Sequence, residues 1–502
     1  MVRDYIEKIK ENIDVRKNLI ALKAECKDYA GKHALLYALE SKFELFYDLL
    51  KAEDPKIRKN AALIFGQLGV QESLSKLYEA YEQEKTLFVK SSYLTAMKEL
   101  DYRTYLDAFK ERVKLLENSE PEDENKKHIL EEIRILKEMI LTLEGIKKHT
   151  FTGFDKISRI ILLTNRNFRE VTLEQLKSHR AKLFPAGVMA KTDRLEEVLE
   201  IRTFSELLFV LEDKTVLEVS KGQKVDELAK NLSEQIAESS FLDFLKERHE
   251  GEEPFYFRVE VKSKMDLKQK SNFTKKLSTY LETATGGALQ NSTSHYEVEL
   301  RLIANKEGNF NFLIKLFTIK NKRFAYRKQA LSTSIQPVNA ALAMALAGEY
   351  LQEGAQVLDP FCGVGTMLVE RAKYKETGDM YGIDIFGKGI EAARKNTSLA
   401  NVHVNYINRD FFDFTHEYLF DELISNLPRV IGKKTKKEIT ELYRNFWVKA
   451  KEHLKKGAVM VLYCYDREIL QSTLRNEWYE VLEEFEISKK EGAFCYVLRY
   501  EG

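Results

Sequence analysis

The sequence has little cysteine and no long apolar run, and each of these absences excludes a class of protein. Its four cysteines are scattered over 502 residues without a C-x-x-C pair. Neither a disulfide framework nor a zinc site is therefore expected. No apolar run approaches the roughly 18 residues that a membrane span needs, and the charged start, MVRDYIEKIK, does not resemble a signal peptide. We expect a cytoplasmic protein without a membrane anchor.

The sequence also lacks an excess of either charge. It has 80 basic and 79 acidic residues, a net charge of +1, so only local patches can indicate a nucleic-acid partner. Histidines such as His403, His416 and His453 have no metal-like spacing, and no metal site is expected. The length is typical of about three domains.

Residues 1–148 have apolar positions at helical spacing and an internal repeat. Ile57 and Arg58 correspond to Val89 and Lys90, a shift of 32 residues. Repeated helical pairs predict a solenoid, because one pair cannot bury its apolar face alone. The stretch EDPKIRKNAALIFGQLG resembles a HEAT repeat whose second helix begins at Asp54-Pro55. An ordinary helical bundle is the alternative. A charged break (117–127) and a helix over 128–148 end this part.

Residues 149–330 mix short strands and helices, which predicts small α+β modules. ISRIILLT is typical of a strand, and NFREVTLEQLKSHRAKLF predicts a helix that begins near Thr172. LEIRTFSELLFVLE is interpreted as a strand followed by a helix. Two alternating strands are predicted around the turn at 306–309.

Residues 331–502 alternate apolar strands with helices, which predicts βαβ units and a parallel sheet. The motif VLDPFCGVGTMLVERA begins with a strand that ends in Asp359, and a turn with Gly363 and Gly365 leads into a helix. Such glycines let a backbone approach a ligand closely. The motif is neither a P-loop nor a full G-x-G-x-x-G, so a triphosphate or dinucleotide is not favoured.

The following strands end in polar residues. Asp384 comes about twenty residues after the glycines, where a carboxylate accepts hydrogen bonds from ribose hydroxyls. The next strand ends at Asp410 and Phe411, and the fourth at SNLPRVIG. Proline stops a strand and fixes φ, so in a chain with only seven prolines its place after Asn426 favours a functional site. The lysine-rich loop 432–437 that follows favours phosphate contacts.

These motifs resemble the class I S-adenosylmethionine-dependent methyltransferases, and more closely the RNA methyltransferases of the THUMP-associated, guanine-N2 type. DPFCGVGT followed by Asn426-Leu427-Pro428 carries the resemblance, together with Tyr326-Arg327 and the Pro337 element. The likeness is strong over 325–432 and weak over 157–324, where the segments resemble ferredoxin-like and THUMP modules. The amino-terminal repeats lie outside the usual layout of this family.

The resemblance implies three domains: a HEAT-like α-solenoid (1–148), an α+β RNA-binding region (149–330) and a Rossmann-like α/β methyltransferase domain (331–502). It also implies residue roles. The methionine and sugar parts of S-adenosylmethionine would be surrounded by Asp359, Phe361, Gly363, Gly365 and Thr366, the ribose held by Asp384, and the adenine held by Asp410 and Phe411. The target amine would be received by Asn426 and Pro428, and RNA contacted by Arg327, Arg429, Lys433 and Lys434.

An exocyclic purine amine is a poor nucleophile, which gives the Asn-x-Pro motif a chemical reason. An amide oxygen and a backbone carbonyl held by a proline accept its hydrogens and stabilise the positive charge that develops on nitrogen. Arg429 departs from the family pattern, because relatives usually place an aromatic residue there.

The sequence leaves alternatives open. The acceptor is most simply tRNA or rRNA, but DNA and protein are alternatives. A third interpretation is a HEAT-repeat binding protein, with a protein partner on its helices, in which the methyltransferase domain is degenerate. The oligomeric state does not follow from the sequence.

Overall fold

The computed structural model describes residues 2–40, 42–117, 123–145, 149–220, 222–432 and 434–502. Contacts divide the chain into two units, residues 1–147 and 148–502. Part of the predicted charged break (118–122) and the end of the predicted helix 128–148 (residues 146–148) lie outside the described residues. No helix among the described residues is both long enough and apolar enough to cross a membrane.

The described residues of the first unit form helices joined by short turns. The helices are α1 (Val2–Lys10), α2 (Val15–Glu25), α3 (Tyr29–Leu39), α4 (Glu44–Leu49), α5 (Pro55–Leu68), α6 (Leu74–Gln83), α7 (Leu87–Met97), α8 (Leu106–Glu117) and α9 (Asp123–Glu144). Helix α5 begins where the sequence predicts: the Asp54 side chain accepts from the Lys56 amide, and Gly69 ends the helix with φ of 68°. Proline suits this first turn because its missing N–H has no helical partner there.

Helices of the first unit pack mainly against helices near to them in the chain. Helix α2 contacts α5, α5 contacts α7, and α7 contacts α9. One continuous apolar core runs through these contacts. A buried polar cluster adds to it: the Tyr81 hydroxyl and the Arg112 guanidinium both donate to Glu132, at 2.6 and 2.9 Å.

The second unit begins with a mixed sheet. Its strands and the adjoining two-stranded pair are β1 (Thr150–Phe151), β2 (Ser158–Thr164), β3 (Arg180–Phe184), β4 (Gly187–Thr192), β5 (Phe204–Val210), β6 (Val216–Leu217), β7 (His249–Glu250), β8 (Phe255–Lys262), β9 (Leu289–Asn291), β10 (Val298–Ala304) and β11 (Phe310–Leu316). The order is β3-β4-β2-β5-β11-β10-β8-β9, with β6 on β11, while β1 pairs with β7. The helices are α10 (Arg169–Gln175), α11 (Leu195–Glu200), α12 (Val225–Ala237), α13 (Phe241–Lys246) and α14 (Leu267–Ala284).

Two sequence predictions for this region are wrong. The helix predicted to begin near Thr172 begins at Arg169 and ends at Gln175, and 180–184 is strand β3. The predicted strand-to-helix segment is the reverse, helix α11 followed by β5. Both errors arise because short apolar runs fit either period, and pairing with β4 and β2 decides the outcome.

The last part is a doubly wound sheet. Its strands are β12 (Ala355–Asp359), β13 (Thr377–Asp384), β14 (Asn405–Asn408), β15 (Phe420–Asn426), β16 (Leu454–Cys464), β17 (Tyr479–Ser488) and β18 (Ala493–Tyr500). Its helices are α15 (Pro337–Leu346), α16 (Thr366–Tyr374), α17 (Gly387–Ala400), α18 (Lys436–Ala450) and α19 (Arg467–Thr473). The order is β14-β13-β12-β15-β16-β18-β17, parallel from β14 to β16, with β18 antiparallel to both neighbours. The predicted parallel α/β sheet is present.

Helix α16 is fixed by two adjacent charged side chains. Arg371 forms a two-pronged pair with Glu422 of β15, at 2.7 and 2.9 Å, and both side chains are fully buried. Glu370 accepts two hydrogen bonds from Arg202 of the mixed-sheet region and one from the Tyr326 hydroxyl at 2.6 Å. One pair ties the helix to its own sheet, and the other ties it to the preceding region.

We predict that Glu422→Leu lowers the free energy of unfolding by about 3–5 kcal/mol, because it leaves the Arg371 charge buried without its partner. Urea unfolding followed by tryptophan fluorescence tests this. Both tryptophans, Trp447 and Trp478, lie in the last domain and therefore report its unfolding.

The double variant Arg371→Met/Glu422→Leu is the control, since it removes both charges and should recover much of the loss. An unchanged midpoint for Glu422→Leu would contradict a supporting role of the pair.

Candidate functional site

The carboxyl ends of β12, β13, β14 and β15 meet at one edge of the doubly wound sheet. Strand β12 lies between β13 and β15, and the helices that follow β12 and β15 pack into separate cores on opposite sides of the sheet. Ligands of such sheets bind in the crevice at this switch point. The residues that end these strands are Asp359, Asp384, Asn408 and Asn426, so the fold brings most of the sequence-predicted site together.

Asp359 is a buried carboxyl group with one oxygen unused. Its Oδ1 accepts from the Ser425 hydroxyl at 2.7 Å and from the Phe361 amide at 3.1 Å. Its Oδ2 is buried and has no partner among the described residues. Burial raises the pKa of this carboxyl to about 7, against the lowering effect of those two hydrogen bonds.

The turn after β12 needs its glycines for two different reasons. Gly363 and Gly365 have φ of 53° and 80°, which side chains disfavour. A Cβ at Gly365 would lie 2.2 Å from the Tyr406 hydroxyl, whereas a Cβ at Gly363 would meet nothing within 4 Å. The backbone is thus packed on one side and open at Gly363. The Thr366 hydroxyl at the start of α16 is buried without a partner among the described residues.

Asp384 at the end of β13 binds this turn directly. Its Oδ2 accepts from the Gly363 amide and its Oδ1 from the Phe386 amide, both at 2.8 Å. Each carboxylate oxygen has a second lone pair, so these contacts orient Asp384 while leaving it able to accept further donors such as ribose hydroxyls.

The third strand provides a less open site than the sequence predicts. Asp410 accepts from the Phe412 amide at 3.0 Å and caps the turn of residues 411–413. Phe411 is only 2% exposed and packs against Phe361 and Phe446, with ring centroids 5.9 and 6.3 Å apart. Phe411 and Phe361 therefore belong to an aromatic cluster beneath the site, and little of the Phe411 ring is left for an adenine.

Asn426 presents an unused acceptor where β15 ends. Its amide nitrogen lies 3.4 Å from the Thr333 carbonyl, and its Oδ1 is buried without a partner among the described residues. The Leu427 amide donates to the carbonyl of Tyr463 at 2.9 Å, and the Pro428 carbonyl accepts from the Tyr443 hydroxyl at 2.9 Å. Tyr443 thereby occupies the carbonyl of Pro428 and fixes the turn.

The predicted RNA-contacting residues are not one cluster. The Arg429 guanidinium lies 4.1 Å from the centroid of the Tyr465 ring. Lys434 is exposed, and Lys433 lies outside the described residues. Arg327 donates to the carbonyl of Ile335 at 3.0 Å. It thus holds the loop that contains Thr333, the contact of Asn426.

Several residues of the site are not evident from the sequence. Ser425 binds Asp359, Tyr465 stacks on Arg429, and Asn396 donates to the carbonyls of Gln329 and Val364, at 2.9 and 3.1 Å. The Asn396 contacts fix the glycine turn to the loop before α15. Ser425 belongs to the motif SNLPRVIG and could have been found there, but Asn396 and Tyr465 carry no local signal.

These residues fit the cofactor that the sequence predicts. Asp359 Oδ2, Thr366 Oγ1 and Asn426 Oδ1 are buried oxygens without partners among the described residues, and a buried polar group without a hydrogen bond costs about 1–3 kcal/mol. Gly363 leaves room for a close approach. The set is polar and acidic, which suits a ligand with a cationic methionine part and ribose hydroxyls.

Comparisons with known proteins identify the domain. Residues 325–491 match UPF0020, the RMKL-like methyltransferase domain. Three solved structures are similar in fold: TrmN from Thermus thermophilus (20% identical, 68% of this chain, 99% of that chain, TM-score 0.51), SMU.472 solved with SAH (14%, 69%, 99%, 0.51) and a predicted N6-adenine-specific DNA methylase from Listeria monocytogenes (14%, 69%, 97%, 0.50). The last part thus has a Rossmann-like methyltransferase fold, and the predicted cofactor, S-adenosylmethionine, is confirmed.

A curated relative covers less of the chain. An uncharacterized protein of Mycoplasma genitalium, MG259, is 33% identical over 92 residues, which are 18% of this chain and 20% of that protein. The match thus spans about a fifth of the relative's length.

We predict a pH-dependent stability difference between the ligand-free protein and Asp359→Asn. The folded protein keeps a proton on Asp359 up to about pH 7, whereas the unfolded chain loses it near pH 4. Stability from this group is therefore full below pH 4 and falls as pH rises through 7. Asparagine has no such proton, so the protein with Asp359 should lose stability relative to Asp359→Asn from pH 5 to pH 8. Between the two pKa values the relative loss is about 1.4 kcal/mol for each step of one in pH.

Urea unfolding followed by tryptophan fluorescence at pH 5, 6, 7 and 8 measures this difference. Parallel pH curves for the two proteins would show that the Asp359 carboxyl is ionised at all four values, and would refute the raised pKa.

Proposed function

We propose that this protein is an S-adenosylmethionine-dependent RNA methyltransferase that acts on the guanine N2 amine of tRNA or rRNA. The observation that carries the proposal is the buried Oδ1 of Asn426, unpartnered among the described residues and next in the chain to Ser425, which binds Asp359. An acceptor at this place suits the hydrogens of an amine. The Asn-Leu-Pro motif and its resemblance to guanine-N2 enzymes support the choice of amine.

Bound S-adenosylmethionine supplies an electrophilic methyl group. In the proposed reaction, Asn426 Oδ1 accepts one amine hydrogen and the backbone carbonyl of the Asn-Leu-Pro turn accepts the other. This pair directs the nitrogen lone pair and stabilises the positive charge that develops on nitrogen. The carbonyl of Leu427 is the candidate, because the Pro428 carbonyl already accepts from Tyr443. Asp384 and Asp359 would hold the ribose and the cationic part of the cofactor.

Arg429 replaces the aromatic residue of the family pattern, and Tyr465 supports the replacement. A guanidinium stacked on a ring presents a flat upper surface to a base. We therefore assign base stacking to Arg429, with Tyr465 as the layer beneath. Lys433 and Lys434 would contact phosphate, and Arg327 would act through the loop it holds.

The earlier domains complete the proposal. Residues 1–148 would be a HEAT-like solenoid, which the neighbour-to-neighbour helix contacts support. Residues 149–330 would be the ferredoxin-like and THUMP-like RNA-binding region, and 331–502 the catalytic domain. A protein partner would bind the helices.

The direct test is methylation of total tRNA, rRNA, genomic DNA and cell protein with labelled S-adenosylmethionine, followed by nucleoside mass spectrometry. N2-methylguanosine in tRNA or rRNA is the expected product. Label confined to DNA or protein would refute the RNA assignment, and no label with cofactor bound would favour the degenerate-domain alternative.

Asn426→Ala is predicted to lower kcat by about 10²–10³-fold, the usual cost of removing one preorganised polar group from a reacting centre. Binding of S-adenosylmethionine, measured by calorimetry, should stay within a few-fold. Asp384→Ala is the matched opposite, since it should abolish cofactor binding. Full activity of Asn426→Ala would remove its proposed role.

Arg429→Ala is predicted to raise KM for RNA by about ten-fold, since stacking on one base contributes about 1–3 kcal/mol. Arg429→Lys distinguishes stacking from phosphate binding, because lysine keeps the charge but has no planar group. Lysine should fail to restore KM. Full rescue by lysine would assign Arg429 to a phosphate instead.

A further inference from the structure

The mixed sheet of the second unit carries its helices on one face only. Its main core contains residues from all five helices, α10 to α14, together with strand residues such as Ile160 and Leu162. The alternate residues Ile161 and Leu163 belong to a separate cluster, made of strand residues alone. Successive side chains of a strand point to opposite faces. Helices of this region therefore cover one face, and none of those described contributes to the core of the other.

This helix-free face carries basic side chains in register. Arg159 of β2 lies opposite Lys191 of β4, which lies opposite Arg180 of β3, so the three form one row across three strands. Lys182 lies two residues further along β3, beside Met189. A groove of about 400 Å³ is lined by these residues, together with Ala181, Ala190 and Glu212.

The charges of this groove are only partly neutralised. Glu212 pairs with Lys191 at 2.9 Å and lies 3.8 Å from Arg159. Arg180 and Lys182 are exposed and form no ion pair with any residue that the structure describes. Four positive side chains thus face one carboxylate, which complements the repeating negative charge of a nucleic-acid backbone.

The face is held rigidly to the methyltransferase domain. Directly after β2, Asn165 and Asn167 donate to the carbonyls of Ile487 and Glu486 at 2.7 and 3.0 Å. Arg202 adds its two hydrogen bonds to Glu370 of α16. RNA bound on the face would therefore be held at a fixed position relative to the catalytic domain.

We propose that the row Arg159–Lys191–Arg180, with Lys182, binds the phosphodiester backbone of the RNA substrate. The inference rests on the proposed function and adds to it a surface distinct from the lysine loop beside Asn426. A charged edge strand also protects a sheet from pairing with another chain, and β3 is an edge strand. The experiment must separate these two roles.

Binding of a fluorescein-labelled 20-nucleotide RNA stem–loop, measured by anisotropy between 50 and 200 mM salt, tests the proposal in the full-length protein. Arg180→Gln/Lys182→Gln should weaken binding about ten-fold or more and reduce the slope of log K against log salt by about 1.5, since each phosphate contact contributes about 0.7–0.9. Glu212→Gln should do the opposite, tightening binding and steepening the slope, because it frees Lys191 and Arg159.

Lys230→Gln/Lys306→Gln is the matched control. It removes two exposed lysines of the same region, one on α12 and one in the turn between β10 and β11, and should leave the slope unchanged. Calorimetric binding of S-adenosylmethionine should be the same in all variants.

The outcomes separate the two proposals. Unchanged RNA binding in Arg180→Gln/Lys182→Gln, or the same loss in the control, would overturn the surface while leaving the proposed function intact. Self-association of that variant, with RNA binding retained, would assign the charges to edge protection. No RNA binding by the unaltered protein would overturn the proposed function itself.

Discussion

Glu370 and Arg371, neighbours on one helix, determine how the catalytic domain holds together. Arg371 pairs with Glu422 on β15, and Glu370 with Arg202 and Tyr326. Side chains next to each other on a helix point in different directions, so α16 joins two bodies at once. The glycine turn precedes this helix, and Asn426 ends the strand that Glu422 belongs to. Buried pairs of this kind add little net stability, but losing one partner is costly, so they fix position.

The site that results is an array of acceptors whose donors are missing. Asp359, Thr366 and Asn426 each keep a buried oxygen without a partner among the described residues, while Asp384 is oriented by two backbone amides. A fold keeps such unpaired groups only where a ligand supplies the hydrogen bonds. The raised pKa of Asp359 has the same origin, because burial without a nearby cation disfavours its charged form.

Prediction from the sequence succeeded where the pattern was local. Asp54-Pro55 starts α5, and the strands that end in Asp359, Asp384 and Asn426 lie where their apolar runs predict. It failed at 180–184, whose alternation is too short to exclude a helix, and Phe411 shows a second limit. An aromatic after a strand was expected to meet an adenine, yet three neighbouring rings bury it, and burial of one face of a turn has no local signal.

The sequence alone determined which chemical groups end each strand and where the backbone needs glycine, since both follow from residue type and periodicity. Tertiary structure alone decided which of these groups are paired. Ser425 reaches Asp359, Tyr465 supports Arg429 and Arg202 meets Glu370 because the sheet order places β12 beside β15 and the mixed sheet against α16. Those partners are distant in the chain, and no local periodicity encodes the strand order that brings them together.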